Sequence, residues 1–296
     1  MKTKIILVHS GNFFPEHLND CILNLKNNNF EIHLILDSHL HQYLIHSDII
    51  LNSVEDYIDD RYNTFSVNHQ DINFRDGFWL RVSTRFFLID NYIKKNNIQN
   101  FFYIENDVLL YSDFVDILQI LKDSNCDMCI SIDSEKRAVP CLIYFKNSES
   151  TNDFSNHIYN NRNWNDMENL FIYYELNKHK VINFPIITSN SEIEMISQTG
   201  ITDSGKINYS NMYDKFQSIF DPQAIGQYLG GLDQRIHHTN TIGFINETTI
   251  FNIASFDYIW ENNIPYMILK NGEKIKINNL HIHSKNLKQF INKNES

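Results

Sequence analysis

The stretch Asn100-Phe-Phe-Tyr-Ile-Glu-Asn-Asp-Val-Leu-Leu-Tyr-Ser-Asp-Phe114 decides how this chain is read. Two apolar runs, Phe101–Ile104 and Val108–Tyr111, flank an abrupt acidic step, Glu105-Asn106-Asp107. The first run is short and rich in aromatic and β-branched residues, which predicts a strand buried on both faces. Side chains alternate along a strand, so Glu105 and Asp107 leave on one side and Asn106 on the other. Carboxylates at the end of a buried strand are costly unless a cation, a metal or hydrogen bonds compensate them. In an open α/β sheet the ligand crevice also lies at that end of the strands. Two readings stay open: a metal site, or an acidic strand-to-loop turn with solvated side chains.

Outward from this stretch the chain alternates strands and helices. Lys4–Val8 is a β-branched strand, followed by the loop His9-Ser10-Gly11-Asn12. From Pro15 to Leu25, apolar residues at 18, 21, 22 and 25 predict a helix, and Glu31–Leu36 is a second strand. This start implies a right-handed crossover. Residues 38–70 are irregular, and their histidines (His39, His41, His46, His69) read as surface residues. Trp79–Lys95 is a long helix with a stripe of Val82, Phe86, Ile89 and Ile93. Arg81 and Arg85 lie four apart on another face, either sharing an anionic partner or solvated separately.

Beyond the acidic step come a short amphipathic helix (Phe114, Ile117, Leu118, Leu121) and strands Asp127–Ile132 and Val139–Phe145. A helix follows at Asp166–Leu176, then a strand at Val181–Ile187 that Pro185 places near a sheet edge. Thr188–Ser218 is polar and poorly periodic, the pattern of a loop or lid. Asp221 as N-cap, Pro222 as first helical residue and Gly230 past the end define a short helix. Gly226 within it marks either a close approach of backbone or ligand, or a packing glycine. Ile275–Ile282 is the last strand. His281 and His283 fall on one face of it with Lys285 just beyond, as ligands or as hydrogen-bonded core histidines.

Composition narrows the function. With 296 residues, 42% hydrophobic and 13% aromatic, the chain is globular and buries a large core. A net charge of −11 argues against a general nucleic-acid binder but permits a local basic pocket for a phosphorylated small molecule. No apolar run approaches the ~20 residues that span a bilayer. The N-terminal apolar run is too short for a signal peptide, and four cysteines suit a reducing, cytoplasmic setting. Cys126-Asp-Met-Cys129 has no second pair or nearby histidine, so it reads as buried apolar residues rather than a zinc or redox site. No repeat or linker divides the chain.

Together these features resemble the GT-A class of nucleotide-sugar-dependent glycosyltransferases, and within it the glycogenin-like and bacterial galactosyltransferase-like family. Ser83-Thr84-Arg85-Phe86-Phe87 is similar to that family's helix before the central strand. Phe102-Tyr-Ile-Glu-Asn-Asp-Val-Leu-Leu110 is similar to its apolar strand ending in Asp-x-Asp. His281 or His283, followed by Lys285, resembles its C-terminal metal-binding histidine and diphosphate-binding lysine. Val139–Asn147 resembles its acceptor-side strand, and Asn165-Asp166 its Asp-Gln step. Three departures stand out. The first acid is Glu105 rather than Asp, the C-terminal spacing is His-x-His-x-Lys, and Gly226–Asp233 has no counterpart.

The resemblance implies an α/β GT-A fold, a Rossmann-like mixed central sheet flanked by helices, in a single domain spanning 1–296. Residues 1–135 would form the nucleotide-binding half, 136–285 the acceptor half with the metal and phosphate strand, and 286–296 a tail. It implies transfer of a sugar from a nucleotide-diphosphate-sugar donor, UDP-sugar foremost and GDP- or dTDP-sugar next, to a hydroxyl of a glycan or protein-linked acceptor. Mn²⁺, or Mg²⁺ in its place, would be held by Asp107, by Glu105 directly or through water, and by His281 or His283. Lys285, Arg85, Arg81, Asn106, Gly230 and Gly231 are expected around the donor, with His9, Ser10, Gly11 and Asn12 at base and ribose. Asp233, Asp221 and Asp166 are the acceptor-side carboxylates, Asp233 foremost as general base if the anomeric centre inverts. Two other readings compete. A sugar-nucleotide nucleotidyltransferase is opposed by a first loop with one Gly and no Lys or Arg. A catalytically inactive nucleotide-sugar-binding module gains from Glu105.

Overall fold

Strands that are apolar on both faces must be covered on both, and this chain covers them. The structure, a computed structural model, describes residues 2–68, 75, 77–134, 136–189, 209–238, 241–291 and 293. Its main sheet runs β3 (Ile50–Ser53), β2 (Glu31–Leu36), β1 (Lys4–His9), β4 (Phe101–Ile104), β7 (Arg137–Phe145), β6 (Met128–Ser134), β8 (Val181–Asn183). The strands are parallel except β7, which is antiparallel to both its neighbours. Ile5, Leu7, Phe102 and Ile104 face one layer, with Leu18 and Ile22 of α1 (His17–Asn27) and Leu121 of α4 (Val115–Asp123). Ile6, Phe101 and Tyr103 face the other, with Phe86 and Ile89 of α3 (Phe78–Asn96), Phe154 of α5 (Ser148–Asn160) and Leu170 of α6 (Asp166–Leu176). Helix α2 (Asp60–Asn68) lies against α3. The mixed sheet flanked by helices is the architecture the sequence implies; β8 lies at the sheet edge, but it stops at Asn183 rather than running to Ile187, so Pro185 lies beyond it.

Beyond β3 and α2, which fall in the stretch 38–70 read as irregular, two further features that escape the sequence reading stand out. Helix α5 is mostly polar, but Asn147 caps it, its side chain accepting from the N–H groups of Glu149 and Ser150. The second is the hairpin of β9 (Asp257–Glu261) and β10 (Ile264–Ile268), joined by Asn262-Asn263. Both asparagines have positive φ (51° and 65°), which a tight two-residue hairpin needs and asparagine tolerates. The C-terminal strand is corrected as well. The last strand is not continuous from Ile275 to Ile282: β11 (Lys274–Lys276) joins the three-stranded sheet β11-β10-β9, while β12 (Asn279–His281) pairs with β5 (Val108–Leu110). Between them the Ile277 N–H donates to Pro265 and the Asn278 N–H to Ile219, which carries the chain from one sheet to the other.

Strand β5 has a second neighbour that is not a strand. The buried Asn24 amide of α1 accepts from the Leu110 N–H (2.9 Å) and donates to the Leu110 carbonyl (3.0 Å). All four cysteines are free and buried, as their apolar reading requires. Most of the proposed lid, residues 190–208, lies outside the described residues. Among those described, no helix is long and apolar enough to cross a membrane.

Candidate active site

Strand β4 delivers its acidic step to a cleft of about 570 Å³, lined at one side by Val8, His9 and Ser10 from the end of β1. Antiparallel pairing of β5 with β12 sets Val108 opposite His281, and the Ile282 N–H donates to the Asp107 carbonyl at 2.9 Å. This register brings the middle of the chain against its far end. His281 Nε2 lies 3.2 Å from Asp107 Oδ2 and 3.4 Å from Glu105 Oε2. Its Nδ1 hydrogen-bonds the Pro222 carbonyl at 2.7 Å. Among the described residues, Glu105, Asp107 and His281 form the group whose donor atoms are close enough to hold one metal ion. Lys285 forms an ion pair with the same Asp107 carboxylate. Its left-handed backbone (φ 64°) and its N–H bond to Ile282 (3.0 Å) fold the chain back toward that carboxylate.

The electrostatics are those of a buried, matched cluster. Burial alone would raise the Asp107 carboxyl, but Lys285 and His281 hold it well below the usual carboxylate range. Burial likewise opposes charge on His281, yet Asp107 and Glu105 keep it protonated well above the usual imidazole range. The donor set also fits a divalent cation. Two carboxylates converge on one imidazole nitrogen, and the Pro222 carbonyl fixes the other nitrogen as an N–H donor, the arrangement that orients a metal-binding histidine.

Around this cluster the helices place further groups. Arg85 donates Nη1 to Glu105 Oε1 and Nη2 to Asp166 Oδ2, each at 2.7 Å, with its guanidinium 5.2 Å from the ring centres of Phe86 and Tyr103. It is thus committed to two acids, which corrects the idea that Arg81 and Arg85 share an anion. Arg81 faces the cleft near Gly11. Asp166 begins α6; burial, reinforced by Glu105 and opposed by Arg85, pushes its carboxyl up to about 6. Asn106 bridges two histidines: its Oδ1 meets His17 Nε2 at 3.1 Å, and its Nδ2 meets His9 Nδ1 at 3.4 Å. Burial and Lys285 lower His17 to about 4, which keeps it neutral.

The short helix α7 (Ala224–Gly230) starts later than the sequence suggests. Asp221 and Pro222 precede it, and Gly230 is its last residue. Asp221 still caps it from a distance: Oδ1 accepts from Ile225 and Oδ2 from Gly226, at 2.9 and 2.8 Å. Oδ2 also accepts the His281 N–H at 3.1 Å. Fully buried, Asp221 therefore ties α7 to β12, which corrects its expected place on the acceptor side. Gly226 is a close-approach glycine, since a Cβ there would lie 2.0 Å from the His281 carbonyl oxygen.

The structure brings together Glu105, Asp107, His281, Lys285, Arg85, Asn106 and Asp166, with His9, Ser10 and Arg81 further along the same cleft. Asp233 lines it too, bound to Arg235 at 2.6 Å; burial would raise its carboxyl, but Arg235 outweighs that and lowers it. Gly11 donates its N–H to Asp37 (2.6 Å), and Asn12 is exposed. Gly230 backs onto Ser284 and Phe290, and Gly231 onto Thr241 and Ile242. His283 stands outside the metal-binding group, with Nδ1 taken by Gln227 at 2.9 Å, so of the two candidate histidines it is His281 that joins the acids. Sequence reasoning missed His17, Arg137, Gln223, Gln227 and Arg235, all cleft-lining. Only Gln227, one residue after Gly226, carried a local signal.

No protein-family model matches the chain, and no curated protein sequence does. Solved structures match in shape. Mouse xyloside xylosyltransferase 1 is 7% identical over 62% of this chain and 85% of its own, with a TM-score of 0.43. The galactosyltransferase LgtC, in complex with donor and acceptor sugar analogues, is 13% identical over 71% of this chain and 83% of its own, with a TM-score of 0.44. The glycosyltransferase GlyE of Streptococcus pneumoniae is 13% identical over 62% of this chain and 45% of its own, with a TM-score of 0.38.

Proposed function

We propose that the chain is a cation-dependent glycosyltransferase that takes a nucleotide-diphosphate sugar as donor and a hydroxyl of a glycan or protein-linked group as acceptor. One observation carries this reading: Glu105, Asp107 and His281 converge beside Lys285 at the wall of a cleft large enough for a nucleotide sugar. Bound there, Mn²⁺ or Mg²⁺ supplies positive charge against the negative charge that grows on a departing diphosphate. Lys285 adds a second positive charge beside the same carboxylate. Arg85 holds Glu105 in place through Nη1 while its Nη2 is anchored on Asp166, so its role is orientation.

At the other end of the cleft, His9, Ser10, Asn106 and the neutral His17 offer polar atoms to base and ribose, and Phe78 and Trp79 offer apolar faces. Asp166 and Asp233 both line the cleft as acceptor-side carboxylates. Asp233, which Arg235 keeps ionised, is the base if the anomeric centre inverts, because a base must be deprotonated to accept the hydroxyl proton.

The test is a set of unfolding curves with UDP, GDP, dTDP and their sugar conjugates, with and without Mn²⁺. Stabilisation that needs both a nucleoside diphosphate and Mn²⁺, followed by slow donor hydrolysis, is the expected result. Binding without turnover supports an inactive sugar-nucleotide module instead, and pyrophosphate release from a nucleoside triphosphate and a sugar phosphate supports a nucleotidyltransferase. If no diphosphate shifts the curve with Mn²⁺, the reading fails.

A further inference from the structure

One wall of the cleft has no part in the reaction as described so far. His283 stands beside His281, their ring centres 4.3 Å apart. Its Nδ1 accepts from Gln227 Nε2 at 2.9 Å. Gln227 Oε1 accepts in turn from Asn246 Nδ2 at 3.3 Å, and Asn246 Oδ1 accepts from the Thr248 N–H at 3.0 Å. These bonds run in one direction. They fix both amide orientations and place the His283 proton on Nε2.

That N–H is buried and has no partner among the described residues. Buried donors are nearly always paired, so an orphan at the end of an ordered relay calls for an explanation. Gln227, after its two bonds, still has one N–H and one lone pair to offer. His283, Gln227 and Asn246 all line the cleft. A fixed row that both donates and accepts complements hydroxyl groups, because each hydroxyl does both. The wall also carries no net charge: Arg137 next to it is matched by the buried Asp133, Nε to Oδ1 at 3.1 Å. Among the described residues of this wall, a carboxylate on the sugar would find no unmatched cation.

We infer that Gln227, His283 and Asn246 form the subsite that reads the transferred sugar, and that this sugar is uncharged and presents adjacent hydroxyls. The inference rests on the glycosyltransferase reading. It places the sugar ring one side chain from the acids that face the diphosphate, which is where a ring bonded to that diphosphate lies. The three residues position the sugar and select it; none is assigned a bond-breaking step.

Calorimetric titration of wild type, Gln227→Ala and Asn246→Ala tests this. With Mn²⁺ present, each protein meets UDP, GDP and dTDP, then the glucose, galactose, N-acetylglucosamine and glucuronate conjugates of the diphosphate that binds. In wild type, at least one neutral conjugate is expected to bind more tightly than its bare diphosphate, and the glucuronate is not. In both variants the bare diphosphate binds as before, while the gain from the neutral sugar falls roughly 10- to 100-fold. Asn246→Ala acts from the far end of the relay, so it keeps the test intact if Gln227→Ala unfolds. Equal weakening of diphosphate and conjugate would mean that Gln227 only props His281, and would overturn the inference. So would an unchanged sugar gain, no gain in wild type, or a glucuronate bound as tightly as a hexose. If wild type binds no diphosphate at all, the glycosyltransferase reading falls first.

Discussion

The two halves of the candidate cation site are held by different means. Glu105 and Asp107 follow β4, whose four residues are fully buried inside a seven-stranded sheet. His281 sits on a three-residue strand with one strand neighbour, and its position depends on single atoms: the Asp221 carboxylate, the Pro222 carbonyl and the missing Cβ of Gly226. Bulk burial fixes the acids, so local changes there alter chemistry more than shape. Point contacts fix the imidazole, so local changes there alter shape first.

Four substitutions break or sharpen this contrast. The largest effect belongs to Asp107→Asn: roughly a 10³-fold loss of Mn²⁺-dependent turnover in a protein that stays folded, measured by donor hydrolysis beside circular dichroism. Next comes Gly226→Ala, which is expected to lower stability by about 1–3 kcal/mol, read from the urea midpoint, and to weaken Mn²⁺ binding as β12 or α7 gives way. Wild-type stability and Mn²⁺ affinity in the Gly226→Ala variant would erase the distinction between the halves.

Asp166 gives a pH signature on the acid side. Its folded carboxyl is up at about 6, above its ordinary 3.8, so the folded state keeps a proton that the unfolded chain releases. Its contribution is present below about pH 4 and is lost as pH rises to about 6, on the order of 2–3 kcal/mol. Urea midpoints of Asp166→Asn across that window should lack this slope; an unchanged slope refutes the assignment. Smallest is Glu105→Asp. One methylene less pulls the carboxylate from Arg85 or from His281, and turnover should drop roughly 10-fold with stability little changed.

What the sequence revealed follows the same division. The strand ending at Ile104 and the helix Asp166–Leu176 were legible because periodicity is a local signal, whereas the convergence of Asp107 with His281 and Lys285 was expected only from the family resemblance. The break after Lys276 was not legible, since Ile277 continues the alternation set by Ile275 and only its bond to Pro265 redirects the chain. Asp221 looked like a helix cap and is one, but its second task, holding the His281 N–H, needs a partner sixty positions away. Arg137 and Gln223 carried no pattern at all; each enters the cleft wall because of where Asp133 lies. The Asn262-Asn263 turn was readable in principle, from two residues that tolerate positive φ in a row.

The pairing of β5 with β12 has a consequence for biosynthesis. Beyond β12, Leu287 and Phe290 are buried, and the Tyr111 hydroxyl donates to the Phe290 carbonyl at 3.3 Å. A growing polypeptide on the ribosome therefore displays the acidic step long before its counterpart exists, and the edge of β5 that β12 later pairs with stays open, since the Asn24 amide bonds the opposite edge through Leu110. Nascent chains and fragments that stop short of residue 281 carry the carboxylates without the imidazole, so their candidate cation site is incomplete however well their sheet has formed.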